Sequence, residues 1–386
     1  MTSTGALTLS PARLRAVCER VLQALGSSAQ EAQTVAANLV LANLSGHDSH
    51  GVGMLPRYVE AVLEGGLLPN TSVRVSLDIG TLLALDGQQG FGQVVGEQAM
   101  RLGIARALEH GSCIMTLGQA HHLGRIGHWA EMAVAQGLVS IHFVNVLSRP
   151  VVASWGGADG RFGTNPCCIG VPLQGREPSD AGPPQVASAP SGGNASHAVE
   201  SAGEHFILDF ATSRVAQGKM RVAHNEGRQV EPGYLIDPQG HPTTDPGVVV
   251  VPQPGAAGAS LFGALLPFGE HKGYGLAVAC ELLGGALSGG GTMHRPADAR
   301  RAVYNGMLTI LIDPKRLGTQ EAFAREALAF VDWVRQGPVA PGGAPVQIAG
   351  EPERAYRLAR ERDGIEIDAA TWAEIEQAAI KAQVKL

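Results

Sequence analysis

Short apolar runs closed by glycine turns fill the middle of this chain, and amphipathic helical periods occupy both of its ends. That alternation, with 51 glycines among 386 residues, points to a mixed α/β fold rather than a helical bundle or a disordered chain. The length exceeds what a single core usually serves, so two or three lobes are expected. At the N-terminal end, Ser10 and Pro11 read as N-cap and N1 of a helix carrying Leu14, Val17, Val21, Leu22 and Leu25 on one face, closed by Gly26. A second helix follows at once. Ser28 to Glu31 has the form of a capping box, and Val35, Leu39, Val40 and Leu44 line the buried face.

That helix delivers the chain into the stretch Gly46 to Glu60, and a third amphipathic segment, about Met54 to Glu64, carries it away. Between them His47, Asp48, Ser49 and His50 lie in a turn bracketed by Gly46, Gly51 and Gly53, with Arg57 shortly after. Histidine titrates near neutral pH, so two imidazoles beside a carboxylate and a hydroxyl form the inventory of a proton-transfer site. A solvated polar turn between two helices is the plainer alternative.

Further on, the strand Thr81 to Asp86 runs into a helix through Gly90, Gly92 and Gly96, which imitates a dinucleotide-binding fingerprint. The next strand, Cys113 to Leu117, ends in Gly118 to His122 without the acid that would hold a ribose, so the pattern reads as a structural turn. His121, His122 and Arg125 make a second polar cluster at a strand-to-helix junction, with Arg125 inside a helix start that suits an anion. A turn-dense loop from Trp155 to Pro166 precedes the strand Cys167 to Val171. Residues 174 to 204 are rich in Gly, Pro, Ser and Ala and read as a flexible surface insertion. The strand Phe206 to Phe210 carries Asp209 near its end, and Ala211, Thr212 and Ser213 are placed to cap a following helix. His271, Lys272 and Gly273 open a helix expected to be buried from Leu276 to Leu287, and a cation beside free backbone N–H groups is what a phosphate needs. A strand from Met307 to Ile312, a helix from Glu321 to Val334 and a last helix entered at Asp368 close the chain.

Composition narrows the function. A net charge of -6 without any basic run argues against nucleic acid or an anionic membrane surface as partner. Cys18, Cys113, Cys167, Cys168 and Cys280 read as reduced, buried thiols, and the N-terminus lacks a secretory pattern, so a cytoplasmic enzyme is expected. The longest apolar stretch, Tyr274 to Leu287, contains Glu281 and is too short to span a membrane.

Four blocks, Gly46 to Tyr58, His121 to Glu131, Arg161 to Pro166 and Leu266 to Gly275, together resemble the type-2 malate/lactate dehydrogenase family, over nearly the whole chain from about Leu14 to Trp372. The resemblance implies an α/β fold of α+β type that is not Rossmann: a central mixed, largely antiparallel sheet binding the nicotinamide cofactor, and a helical lobe formed by both chain ends. Residues 1–75 would be the helical lobe with the catalytic turn, 76–315 the cofactor-binding domain, and 316–386 helices returning to the first lobe. It implies NADH or NADPH as cofactor, a small 2-oxo or 2-hydroxy acid or a cyclic imino acid as substrate, and a homodimer. His50 falls on the family's proton donor, with Ser49 beside it, Asp209 as its orienting acid and His122 as a second histidine for proton transfer or substrate contact. The cofactor side falls on His121, His122, Asn165, Asp209, Ala211, Thr212, His271, Lys272 and Gly273. Many members carry a substrate-binding arginine four residues after the catalytic histidine, where this chain has Met54. Carboxylate binding is therefore expected to move to Arg57 or Arg125, with Met54 and Tyr58 on the substrate side and Met54 favouring an apolar tail. A metal-dependent hydrolase using His47, His50, His121 and His122 is the main rival, but the helical His-Glu-x-x-His spacing is missing and no metal is expected. A Ser49 hydrolase lacks the G-x-S-x-G elbow, and a non-catalytic binding protein is opposed by the density of titratable residues.

Overall fold

The computed structural model describes residues 6–173, 205–254, 260–294 and 302–386, so the low-complexity stretch 174–204 lies outside the described residues. Seven strands form the central sheet in the spatial order Arg74–Ile79, Leu82–Asp86, Ser112–His121, Tyr304–Ile312, Val139–Leu147, Cys167–Pro172, His205–Phe210. Among these, Leu82–Asp86 and Ser112–His121 run parallel and every other neighbouring pair is antiparallel. A Rossmann sheet is parallel and switches direction of winding at its centre. This sheet is therefore the mixed, largely antiparallel alternative.

The helices Gly92–His110 and Gly127–Val134 cover the sheet, and Val95, Met100, Met115, Leu117, Trp129, Met307 and Leu311 fill the space between. A separate core joins Leu14, Leu22, Leu39, Leu55, Tyr58 and Phe91 to Ile365, Ile367, Ile375 and Ala378. Both ends of the chain thus share one interior. The strand Leu7–Leu9 pairs antiparallel with Ile365–Ile367 beside it. A third, small core packs the helix Gln217–Asn225 through Met220 against Val152, Leu235, Val249 and Leu265. No helix among the described residues is long and apolar enough to cross a membrane.

Several local expectations hold to the atom. Ser10 Oγ accepts from Arg13 N and Asp368 Oδ1 from Thr371 N, each capping its helix. The second helix, Ala29–Leu44, forms half of its expected box: Ser28 Oγ accepts from Glu31 N, but the Glu31 carboxylate does not return to Ser28. Glu31 is buried and takes Ser27 Oγ and Asn70 N instead, while Asn70 Oδ1 accepts from Ser28 N. A carboxylate removed from water needs more donors than one backbone N–H.

Two expectations fail. Ala211 to Ser213 cap nothing, because the next helix begins at Gln217 and Thr212 Oγ1 donates to the carbonyls of Thr164 and Asn165. The segment expected as a buried helix to Leu287 is α-helical from His271 to Cys280 and then widens into a π turn, Glu281–Ala286. The widened turn sends Leu282 and Leu287 outward and Glu281 inward, where it accepts from Asn165 Nδ2 and Met293 N.

Candidate active site

The turn that carries His50 is two consecutive 3₁₀ turns, Asp48–His50 and Val52–Met54, between the helices Ala29–Leu44 and Leu55–Leu63. Asn43 holds it from beneath: Oδ1 accepts from Val52 N at 2.8 Å and Nδ2 donates to Asp48 Oδ1 at 2.7 Å. A Cβ on Gly51 would stand 2.1 Å from Asn43 Oδ1, so glycine is required there. From outside, the helix Glu351–Asp363 fastens the same turn. Arg360 donates twice to Asp48 and once to Asn43 O, and His47 meets Glu353 at 3.2 Å. His47 and Asp48 are therefore structural.

His121 ends the strand Ser112–His121, and His122 follows it directly. His121 N donates to Gly90 O, and Leu123 N donates to Asn305 Oδ1 on the neighbouring strand, which pins the backbone on both sides of His122. The glycine turn that imitated a fingerprint is thus a backbone support for this strand end.

The two segments bring His50 and His122 together. His50 Nδ1 and His122 Nε2 are 3.1 Å apart, with the rings nearly parallel at 5.3 Å between centroids and 7°. His122 Nδ1 lies 2.7 Å from Tyr58 Oη, and Gln93 Nε2 donates to that oxygen at 2.6 Å. The result is an unbroken chain, Gln93 to Tyr58 to His122 to His50. Burial, then the charges of His47 and Arg125, lowers His50 to about 4; burial alone lowers His121 to about 3. His122 is held well below its usual value by burial first and then by its histidine neighbours and Arg57. Burial raises Tyr58 well above the usual phenol range. Each group therefore carries its neutral complement of protons at pH 7.

Asp209 is not the partner of His50. Its Oδ2 accepts from Gly127 N at 2.7 Å and so caps the helix Gly127–Val134 from a neighbouring strand, while burial raises its pKa against the pull of His47 and Arg125. Arg125 precedes that helix and is 2% exposed. Its Nη2 donates to Glu131 Oε2 at 2.5 Å, and Glu131 Oε1 receives Arg357, whose Nε donates to Ser45 Oγ. Burial opposes the charge on Glu131, but the two arginines overcome it and lower the carboxyl to about 2. Nε and Nη1 of Arg125 have no hydrogen-bond partner among the described residues. Arg57 makes no salt bridge among the described residues. Desolvation and the like charge of Arg221 lower it against the pull of Glu60 and Glu374, and its own charge acts on His122 and Arg149.

The remaining expected residues divide. Tyr58, expected against substrate, is fully buried, because its ring belongs to the helical core and its hydroxyl is engaged by His122. Met54 packs, half-buried, on the edge of the same core. Ser49 lies against Gly218, where a Cβ would come within 2.7 Å of its own. Asn165 is buried with its amide spent on Val146 N, Ala277 O and Glu281, and Thr212 is buried beside it; both shape the loop from inside. His271 and Lys272 do line a cleft of about 670 Å³, with Trp155, Arg214, Leu266 and Phe268. At its lip Glu270 takes φ +59°, a conformation that side chains rarely adopt, and a Cβ on Gly273 would collide with Phe268 O at 2.0 Å. Aromatic and apolar walls with Arg214 and Lys272 fit a dinucleotide, whose phosphates need cations and whose rings need flat apolar surface, and Glu270 at the lip is the one carboxylate of the lining.

Sequence reasoning missed Gln93, Glu131, Asn305 and Arg357. Gln93 falls between the turn glycines Gly92 and Gly96, and Glu131 closes the block that begins at His121. For Asn305 and Arg357 no local signal exists, since their partners are far away in sequence.

The model of the malate/L-lactate dehydrogenase family matches residues 9–181 and 183–376. Hydroxycarboxylate dehydrogenase B of Escherichia coli (strain K12) is 41% identical over 368 residues, 95% of this chain and 92% of that protein. L-lactate dehydrogenase of Cupriavidus necator is 38% identical, covering 97% of each. Among solved structures, sulfolactate dehydrogenase from Methanocaldococcus jannaschii superposes with a TM-score of 0.79 at 28% identity and 98% coverage of both chains. With a family match that runs from residue 9 to residue 376 and relatives about 40% identical over nearly the whole chain, the chain belongs to the malate/L-lactate dehydrogenase family.

Proposed function

We propose that this protein is an oxidoreductase of 2-hydroxy acids that interconverts a 2-hydroxy acid and its 2-oxo acid with a nicotinamide dinucleotide, His50 serving as acid and base. The observation that carries the reading is the hydrogen-bonded chain from Gln93 through Tyr58 and His122 that ends on His50. Family membership and the names of the relatives support it.

A bound nicotinamide dinucleotide supplies hydride exchange, and the cleft beside His271 and Lys272 would hold it. The protein's own residues do the rest. In reduction, negative charge grows on the carbonyl oxygen as hydride reaches the carbon, and His50 Nε2 gives that oxygen its proton. In oxidation the same nitrogen takes the hydroxyl proton. Arg57 holds the substrate carboxylate, because Arg125 is already committed to Glu131. Met54 turns an apolar side chain to the tail of the acid.

The test follows nicotinamide absorbance with NADH and with NADPH against aliphatic, aromatic and two-acid 2-oxo acids and a cyclic imino acid. Turnover of at least one 2-oxo acid is expected. Turnover of the imino acid alone would move the reading to imine reduction, and none with any substrate would overturn it.

A further inference from the structure

Gln93 sits in the first turn of the helix Gly92–His110, 1% exposed, at the far end of the imidazole chain. Its Nε2 donates to Tyr58 Oη, and its Oε1 is buried without a hydrogen-bond partner. A phenol has one hydrogen to give. With the amide nitrogen donating to the phenol oxygen, that hydrogen goes to His122 Nδ1. His122 then carries its proton on Nε2 and donates it to His50 Nδ1, so the single proton of His50 is left on Nε2, the nitrogen the chain does not use. Turning the amide over reverses each bond in sequence. Oε1 accepts from Tyr58, Tyr58 accepts from His122 Nδ1, His122 Nε2 accepts from His50 Nδ1, and His50 Nε2 is bare.

Both arrangements contain the same number of protons and the same heavy-atom contacts. They differ in direction alone, and the one group able to select the direction by a half-turn of its own is the amide at the end. We propose that Gln93 is a positioning residue that sets which nitrogen of His50 bears the proton, and so whether His50 stands as donor to a carbonyl oxygen or acceptor from a hydroxyl. Oε1 has no hydrogen-bond partner among the described residues, so the sense of the amide is held by its bond to Tyr58 Oη. The low basicity of both imidazoles keeps one proton on each.

The inference rests on reading His50 as the group that exchanges a proton with substrate. In the reductive step the hydride and its electron pair form the new C–H bond, the proton on His50 Nε2 passes to the carbonyl oxygen, and one proton from solvent restores the chain. In oxidation the hydroxyl proton passes to the bare Nε2 and leaves to solvent afterwards.

Nitrogen-15 NMR of histidine-labelled protein reads the tautomer directly, with His50 assigned by its loss in His50→Gln. The wild-type protein is expected to show His50 protonated on Nε2. Gln93→Met, which keeps the length of the side chain and removes its polarity, should bring both tautomers to comparable populations. Tyr58→Phe, which cuts the chain one bond nearer, should do the same, and Gln93→Met added to it should change nothing more. The reductive kcat of Gln93→Met should fall about two- to fivefold with KM unchanged, the size of one net hydrogen bond. An unaltered His50 tautomer in folded Gln93→Met, or in Tyr58→Phe, overturns the proposal. The spectroscopic arm needs no turnover, so failure of the dehydrogenase reading registers separately as absent activity with the tautomer shift intact.

Discussion

The two histidines at the site are mounted in opposite ways. His122 stands on the end of a sheet strand whose backbone is pinned by Gly90 O and Asn305 Oδ1, with the interior of the sheet behind it. His50 stands on a turn with little core of its own, held by Asn43 below and by the charged side chains of Glu351–Asp363 from outside. The first mount is fixed by packing and backbone bonds, the second by ion pairs that water and salt reach. Of the two histidines, it is the one mounted on charge that the proposed chemistry uses to meet the substrate.

Four measurements press on that contrast, beginning with the largest effect. His50→Ala should lower kcat about 100- to 10,000-fold while leaving the cofactor Kd within about twofold, read by steady-state kinetics and fluorescence titration. Unchanged kcat would remove His50 from the chemistry altogether. Next, Glu131→Ala strands Arg125 without its carboxylate in a buried position and should cost about 3–5 kcal/mol in denaturant unfolding. Arg57→Gln is the counterpart: stability within about 0.5 kcal/mol and KM for the oxo acid raised about tenfold. If Glu131→Ala instead raised KM with little loss of stability, and Arg57→Gln left KM unchanged, Arg125 would be the carboxylate holder.

The third measurement is the pH dependence of stability. His50, His121 and Glu131 all have folded pKa values below their usual ones, at about 4, about 3 and about 2. The unfolded chain therefore binds more protons as pH falls. The histidine contribution is whole above about pH 6.5 and is lost as pH falls toward 4 and 3, at up to ~1.4 kcal/mol per pH unit for each group. That of Glu131 is whole above about 4.5 and disappears toward 2. Unfolding free energy followed from pH 8 to 3 should thus start to fall before the carboxylates titrate, and a flat profile between 7 and 5 would contradict neutral burial of the imidazoles. The smallest effect is expected from Arg360→Ala, which should change stability by less than about 1 kcal/mol and make kcat less sensitive to salt than in the wild type. Equal salt sensitivity in both would show that the outer clasp does not position His50.

What could be read from sequence follows the range of the interactions. Helix caps at Ser10, Ser28 and Asp368 are contacts three residues long, and they were legible. The mixed sheet was reached through resemblance, because the pairing of Tyr304–Ile312 with strands from the first half of the chain leaves no local trace. At the site, His50 and His122 were found as residue types, but not their bond to each other. Asp209 was assigned to His50 by family pattern, whereas the structure spends it on Gly127 N. Tyr58 and Gln93 look like ordinary helix residues until burial leaves their polar atoms no partner except each other and His122.

The position of Tyr304–Ile312 in the middle of the sheet bears on how the molecule is made. On a ribosome, the strands on either side of it emerge long before it does and must wait with a gap between them. The helical core waits longer still, for Ile365, Ile367 and Ile375. Neither of the two large interiors can close until most of the polypeptide has been synthesised, so the nascent chain passes through an extended period with open strand edges and uncovered apolar faces. A truncation between residues 312 and 351 completes the sheet yet leaves the His50 turn without its clasp, so the turn that carries His50 is secured only once the late helix Glu351–Asp363 has formed.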